Sequence, residues 1–371
     1  MWTRRWFLCQ STGALLGLSG AGLFLHSHAQ DRDENLVRGM ITPQAQEAID
    51  AGIAYLAANQ NPNGSWGTGP HHGNVAITAL GGLALMSGGH QPGRGRHGRL
   101  VTNALNYILQ NEDRGPHPGF LHNRNSTGHG PMYGHGFATL FLAEAHGMIP
   151  NMELKDRLHG TLDRAVKLII TTQNQEGGWR YRPQKNDADI SVTICQIMAL
   201  RAARNAGFFV PKNVADDCTK YVKQCQDLRG DGAGGFKYQR FGGQVGFART
   251  AAGVVALYSA GVYEGEEVEK GLEFMMKYKP GGGAARFDRE MHIHYYYGHY
   301  YAAQAMWTAG GRYWREWFPA IREELLRPVA NGGHRHGNGS WFNNNICPHY
   351  CTAMALIVLQ IPNNYLPILQ R

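Results

Sequence analysis

Acidic, imidazole and phenol side chains recur along this 371-residue chain in short clusters, each just ahead of an Ala- and Leu-rich stretch. The cluster Asp187-Ala188-Asp189-Ile190-Ser191 puts two titratable carboxyls at the start of such a stretch, where a ligand would meet them. Its alternative is a helix cap, since Asp187 or Asp189 stands where the next helix begins. His135, within Tyr133-Gly134-His135, serves as acid, base or cap. His292-Ile293-His294-Tyr295-Tyr296-Tyr297-Gly298-His299 and Cys347-Pro348-His349-Tyr350-Cys351 carry imidazoles and thiols. His294, His299, His349 and Cys351 are metal-capable groups, the alternative being rim histidines without metal. Tyr133, Tyr295, Tyr296, Tyr297 and Trp179 offer π faces for a carbocation or a sugar ring, with Arg249 for a polar group. The plainer alternative is that such aromatics fill a core.

An internal repeat must position these groups. Gln60-Asn-Pro-Asn-Gly64-Ser-Trp66 and Gln173-Asn-Gln-Glu-Gly177-Gly-Trp179 share the pattern Q-x3-G-x-W, and Gly339-Ser340-Trp341 keeps its end. Degenerate copies end at Phe120, Phe236 and Phe287, so the anchors are spaced 54, 59, 57, 51 and 54 residues apart. A helix-patterned segment precedes each turn, as at 45–58 or at 162–172, where Leu162, Ala165, Val166, Ile169 and Ile170 form one stripe. After each turn comes a nearly uncharged helix of small residues: 75–86, 136–145, 191–206, 248–261, 297–310 and 352–359. Charge outside and small residues inside predict an all-α fold, an α/α6 toroid of six hairpins and about twelve helices. A ligand would enter where the inner helices begin, because those ends face the cavity with free N–H groups.

Composition sets the bounds. With 43% hydrophobic and 17% charged residues the chain is apolar enough to fold. Its 49 glycines have no Gly-X-Y period, which excludes collagen and fits many special turns. The formal charge of +8 is spread without a basic run, so no nucleic-acid partner is expected. Thr3-Arg4-Arg5-Trp6-Phe7-Leu8, an apolar stretch over 13–25 and Ser27-His28-Ala29 resemble a twin-arginine export signal. The expectation is a signal at 1–29, a linker at 30–41, a toroid with a short tail at 42–371, and a periplasmic location; the alternative is an uncleaved anchor. No other membrane span is expected. Cys195, Cys218, Cys225, Cys347 and Cys351 are odd in number and lack a C-x-x-C pair, which argues against a disulfide scaffold.

The Q-x3-G-x-W repeat with its small-residue inner helix resembles the prenyltransferase and squalene-oxidase repeat. Squalene–hopene and oxidosqualene cyclases share that repeat with the β subunits of protein prenyltransferases, and the likeness runs over roughly 42–361. It implies an isoprenoid or other apolar, lipid-like small molecule in the cavity. Asp187 and Asp189 match the first two carboxylates of the D-x-D-D-T motif of squalene–hopene cyclases, with Asp189 on the proton-donating position. Ile190 and Ser191 replace the third Asp and the Thr. His349 falls near the zinc histidine of the prenyltransferases, His299 where they have Cys and Tyr297 where they have Asp, which implies a possible zinc cofactor. Those β subunits also take a helical partner subunit. Two further classes stand beside this one: a polysaccharide lyase or hydrolase using His135 and Arg249, and a toroid that only binds a ligand or protein.

Overall fold

The computed structural model describes residues 37, 39–126, 130–230, 232–282, 289–343 and 346–370. The export-type leader lies outside them. Residues 39–371 form one compact unit.

Helices alternate between two rings. The outer ring comprises α1 (Pro43–Ala58), α3 (Gly98–Gln110), α5 (Met152–Thr172), α7 (Lys212–Gln224), α9 (Glu266–Met276) and α12 (Gly311–Leu326). The inner ring comprises α2 (Val75–Ser87), α4 (Pro131–His146), α6 (Ile190–Asn205), α8 (Phe247–Ala260), α11 (Tyr295–Ala309) and α13 (Pro348–Gln360), with a short α10 (Arg289–Ile293) ahead of α11. Each inner helix packs on the next, and α13 packs on α2, which closes the ring. The expected α/α6 toroid is therefore the observed fold, and the five cysteines of the described residues are free and buried. Among the described residues no helix is long and apolar enough to cross a membrane.

The repeated motif holds the rings together through three contacts. In the first, the indole N–H of Trp66, Trp179 and Trp341 donates to a carbonyl of the preceding outer helix, at Leu56 (2.9 Å), Ile169 (2.8 Å) and Leu325 (2.7 Å). In the second, the backbone N–H of Trp66, Trp179, Phe236 and Trp341 donates to a threonine of the following inner helix: Thr78, Thr193, Thr250 and Thr352. In the third, Gln60 bridges the carbonyls of Gly64 and Leu100, Gln173 those of Gly177 and Val214, and Gln226 those of Gly234 and Glu267. Leu100, Val214 and Glu267 lie in the first turn of the next outer helix, so the glutamine ties successive units together.

Glycine is required where the turn meets that helix. Gly177 has φ +99°, and a Cβ there would lie 2.1 Å from the Asp217 carbonyl oxygen of α7. The equivalent Gly339, φ +86°, would place a Cβ 2.5 Å from the Ala51 carbonyl of α1. The sixth unit therefore docks on the first, closing the outer ring as well. In the second unit Glu112 takes the glutamine's place, pairing with Arg164 (2.5 Å) and accepting the Thr161 hydroxyl (2.9 Å) across a short hairpin of Glu112–Asp113 and Phe120–Leu121.

Candidate functional site

A cavity of about 810 Å³ opens at the N-terminal ends of the inner helices, within the range that holds drug-sized ligands. Every inner helix contributes from its first turns: Val75 to Ile77, Tyr133 with Gly134 and Phe137, Ser191, Ala248 with Arg249, Tyr297, and Tyr350. The inner-helix starts are thus where the ligand space lies. The walls are mainly apolar and aromatic. Among the described lining residues there is no aspartate or glutamate, and Arg249 is the one side chain of fixed charge.

Three lining residues come from an unexpected place. His122, Tyr181 and Tyr238 each stand two positions after a motif aromatic, Phe120, Trp179 and Phe236. The aromatic anchors the turn in the core, and the residue two further on is turned to the cavity. That offset was present in the sequence as a signal. The Tyr181 and Tyr238 hydroxyls hydrogen-bond each other, and the Arg180 guanidinium lies over both rings, 4.9 and 5.6 Å from their centroids.

Behind this wall sits Asp189. It caps α6, with Oδ1 accepting the Val192 N–H at 2.9 Å and the Ser191 hydroxyl at 2.6 Å. The Ser191 Oγ is also 2.6 Å from the Tyr133 hydroxyl, which lines the cavity. Asp189 Oδ1, Ser191 Oγ and Tyr133 Oη therefore form one hydrogen-bonded chain from a fully buried carboxyl to the ligand space. Oδ2 is buried and faces the Arg180 Nε at 3.4 Å. Burial pushes the Asp189 carboxyl up, while the Ser191 and Val192 hydrogen bonds and Arg180 pull it part of the way back. Burial also pushes the Tyr133 phenol well up, reinforced by the negative charge of Asp189. Tyr297 donates to the Ser191 carbonyl at 3.0 Å and so braces the same turn. The capping and proton-donor alternatives for Asp189 are compatible, since they use different properties of one carboxyl. Asp187 is half exposed and bonds to Arg180, which ties that guanidinium to the rim.

Other expected site residues are placed elsewhere. His135 is fully buried and does not line the cavity: its Nδ1 accepts the Leu121 N–H at 3.2 Å, standing in for the threonine of the other units. Burial lowers its pKa to about 3, so the ring is neutral. Trp179 is the motif anchor and is buried away from the ligand space. Tyr295 and Tyr296 pack against each other and His334, outside the cavity wall. Tyr133, Arg249 and Tyr297 do line it.

The metal expectation finds no ligand set. His299 lies among the rings of Phe247, Tyr295 and Trp317, with centroids at 5.1, 4.5 and 5.9 Å. His349 accepts the Gly67 N–H at 3.0 Å and lies against Tyr55, while the Cys351 thiol donates to the Asn343 side-chain oxygen Oδ1 at 3.7 Å. Among the described residues no three His, Cys, Asp or Glu side chains converge to hold a metal ion. Burial lowers the pKa of His299 to about 3 and of His349 to about 4, as for neutral core imidazoles.

No protein-family model matches this chain, and no curated protein matches it in sequence. Solved structures do. An inactive variant of an α-1,6-mannanase of Salegentibacter sp. HEL1_6, in complex with α-1,6-mannotetrose, superposes with a TM-score of 0.59 at 10% identity, over 86% of this chain and 99% of that one. A variant of a type II terpene cyclase from Scytonema, in complex with its substrate geranylgeranyl dihydroxybenzoate, superposes at 0.56 with 15% identity, over 87% and 98%. The apo form of that cyclase gives 0.56 at 16%, over 88% and 98%. At such identities the likeness establishes the α/α toroid, and two unlike chemistries share it.

Proposed function

We propose that this chain is a toroid that takes an unsaturated isoprenoid-type chain into its aromatic cavity and transfers a proton to it from Asp189. The observation that carries the proposal is the Asp189–Ser191–Tyr133 chain, which leads from a buried carboxyl through an apolar wall.

With Asp189 protonated, the chain runs outward. The Asp189 hydroxyl donates to Ser191 Oγ, Ser191 to Tyr133 Oη, and Tyr133 to the alkene. The π electrons take that proton and leave a carbocation, while the Ser191 and Tyr133 oxygens each give up one proton and gain another. The net change on the protein is an Asp189 carboxylate, which the Arg180 guanidinium opposite Oδ2 stabilises. Faces of Tyr133, Phe137, Tyr181, Tyr238 and Tyr297 surround the cation and lower its energy. Return of a proton along the same route regenerates the acid. Export by the N-terminal signal and action in the periplasm belong to the same proposal.

The mannanase likeness raises a competing reading. Glycoside hydrolysis generally employs two carboxyls flanking the scissile bond, and the described cavity wall presents none. The deciding experiment incubates the protein with geranylgeraniol and squalene in D2O and analyses the products by mass spectrometry. The proposal expects a product carrying one new deuterium and its loss in Asp189→Asn. Release of sugar from α-1,6-mannan, or isoprenoid turnover unaffected by Asp189→Asn, would overturn it.

A further inference from the structure

The repeat supplies its own comparison for the connections that run from an inner helix back to the outer ring. Those of the second to fifth units are short, at 147–151, 206–211, 261–265 and residue 310 alone, and none contains a Lys or Arg. The first unit makes the same crossing, from α2 to α3, yet spends ten residues on it, 88–97. The extra length folds into a tight turn. The Gln91 and Arg94 backbones exchange hydrogen bonds of 3.1 and 2.9 Å, and the Gly93 N–H donates to the Gly98 carbonyl at 3.2 Å. Gly93 lies beside Pro150 of the second unit, and Gly89 beside the exposed ring of Tyr365.

What the added length displays is charge. Arg94, Arg96 and Arg99 fall within six residues, all are exposed, and among the described residues none forms an ion pair. Arg99 stands in the first turn of α3, which has no acidic residue. Its cation therefore meets the positive end of the helix dipole, the end that favours anions. His90 and His97 meet edge to face, with centroids 4.9 Å apart. Burial lowers the pKa of both imidazoles, and Arg96 lowers each further. A connection built for stability alone would carry none of this, because crowded like charges repel.

A ligand bearing oxyanions removes that penalty, and guanidiniums are planar donors suited to carboxylate and sulfate groups. The turn presents no exposed apolar side chain to enter a bilayer or to form the dry centre of a protein interface. Tyr365 beside it offers an apolar ring face for the C–H side of a sugar. Three cations in sequence suit a chain of repeated anions better than a single ion.

We propose that the Arg94–Arg96–Arg99 turn binds an acidic polysaccharide, whose carboxylate or sulfate groups meet the guanidiniums and whose sugar ring lies against Tyr365. The site is at the C-terminal ends of the inner helices, whereas the cavity opens at their N-terminal ends. It is independent of the reading of the cavity, and it holds the protein on a charged glycan while leaving the mouth free.

The test titrates the whole protein by calorimetry with oligogalacturonate, a sulfated heparin oligosaccharide, neutral dextran, inorganic phosphate and phosphatidylglycerol vesicles. At least one acidic oligosaccharide is expected to bind, and dextran to show no binding. The affinity should fall several-fold between about 50 and 500 mM salt, since exposed charges are screened. Arg94→Gln/Arg96→Gln should weaken it at least about tenfold, while the charge-matched pair Arg204→Gln/Arg229→Gln should leave it nearly unchanged. Without ligand, the urea midpoint of Arg94→Gln/Arg96→Gln should equal or exceed that of wild type. A lower midpoint would show that these arginines serve the fold and would remove the argument from charge. Equal weakening in the control pair would reduce binding to net charge and overturn the site. Binding of neither acidic oligosaccharide, or of dextran or phosphate as tightly as either, would overturn the polysaccharide assignment. Vesicle binding lost in Arg94→Gln/Arg96→Gln, without oligosaccharide binding, would replace it with a lipid surface.

Discussion

Asp189 holds two roles that substitution can separate. Asparagine caps helices about as well as aspartate, and its Oδ1 can keep both bonds now made by Asp189, from the Val192 N–H at 2.9 Å and the Ser191 hydroxyl at 2.6 Å. What Asp189→Asn loses is the proton and the charge facing Arg180. Arg180 remains partly solvated and still bonded to Asp187, so the expected loss of stability is within about 1 kcal/mol. Asp189→Ala removes the cap, about 1 kcal/mol, and leaves the Val192 N–H and Ser191 hydroxyl without their acceptor, roughly a further 1–3 kcal/mol. The two variants should therefore separate by about 1–4 kcal/mol in urea unfolding. Yet both should lose turnover by at least about 100-fold, the usual contribution of a general acid. The discriminating assay pairs denaturant midpoints with product formation from geranylgeraniol. Equal destabilisation of the two variants would refute the capping geometry, and wild-type turnover in Asp189→Asn would refute the proton donor.

Three further outcomes follow from the packing. Gly177→Ala should cost about 2–5 kcal/mol, from its positive φ and a Cβ 2.1 Å from the Asp217 oxygen; a urea midpoint unchanged from wild type would remove the close approach from the account of ring closure. Glu144 is buried in α4, accepts the Ile368 N–H of the C-terminal tail at 3.1 Å, and burial raises its pKa to about 8. A carboxyl whose folded pKa is raised loses stability as pH rises from its unfolded value through the folded one. Glu144→Gln should therefore be more stable than wild type at pH 8.5 and nearly equal at pH 4, by urea midpoints; the reverse order would sink the reading. His299 runs the other way, because its folded value of about 3 lies below the ordinary 6.5. Its contribution is present above pH 6.5 and lost as pH falls toward 3, so His299→Phe should flatten the acid side of the stability profile. Chelator should leave that profile unchanged, and a chelator-sensitive midpoint would restore the metal.

The sequence by itself determined the architecture. Six aromatic anchors at near-constant spacing, each between a charged amphipathic segment and one of small apolar residues, admit few solutions other than paired rings of helices. The inner helices form where the composition places them, with starts moved by up to five residues, as at α4, which begins at Pro131 rather than Gly136. The glutamine and glycine of the motif were legible as turn chemistry, and local pattern accounts for that: each acts within or just beside its own unit. The cavity was legible only in outline. Tyr133, Arg249 and Tyr297 line it, but His135 and Trp179 are drawn into the packing by contacts with Leu121 and Ile169, which no spacing reveals. His299 and His349 sit on neighbouring inner helices, so whether they meet depends on helix rotation, and the structure turns His299 into an aromatic cluster. The Asp189–Ser191–Tyr133 chain joins α6 to α4 across 58 residues. A contact of that kind exists only after the inner helices have packed, because a register of a fraction of a turn decides which hydroxyl faces which carboxyl.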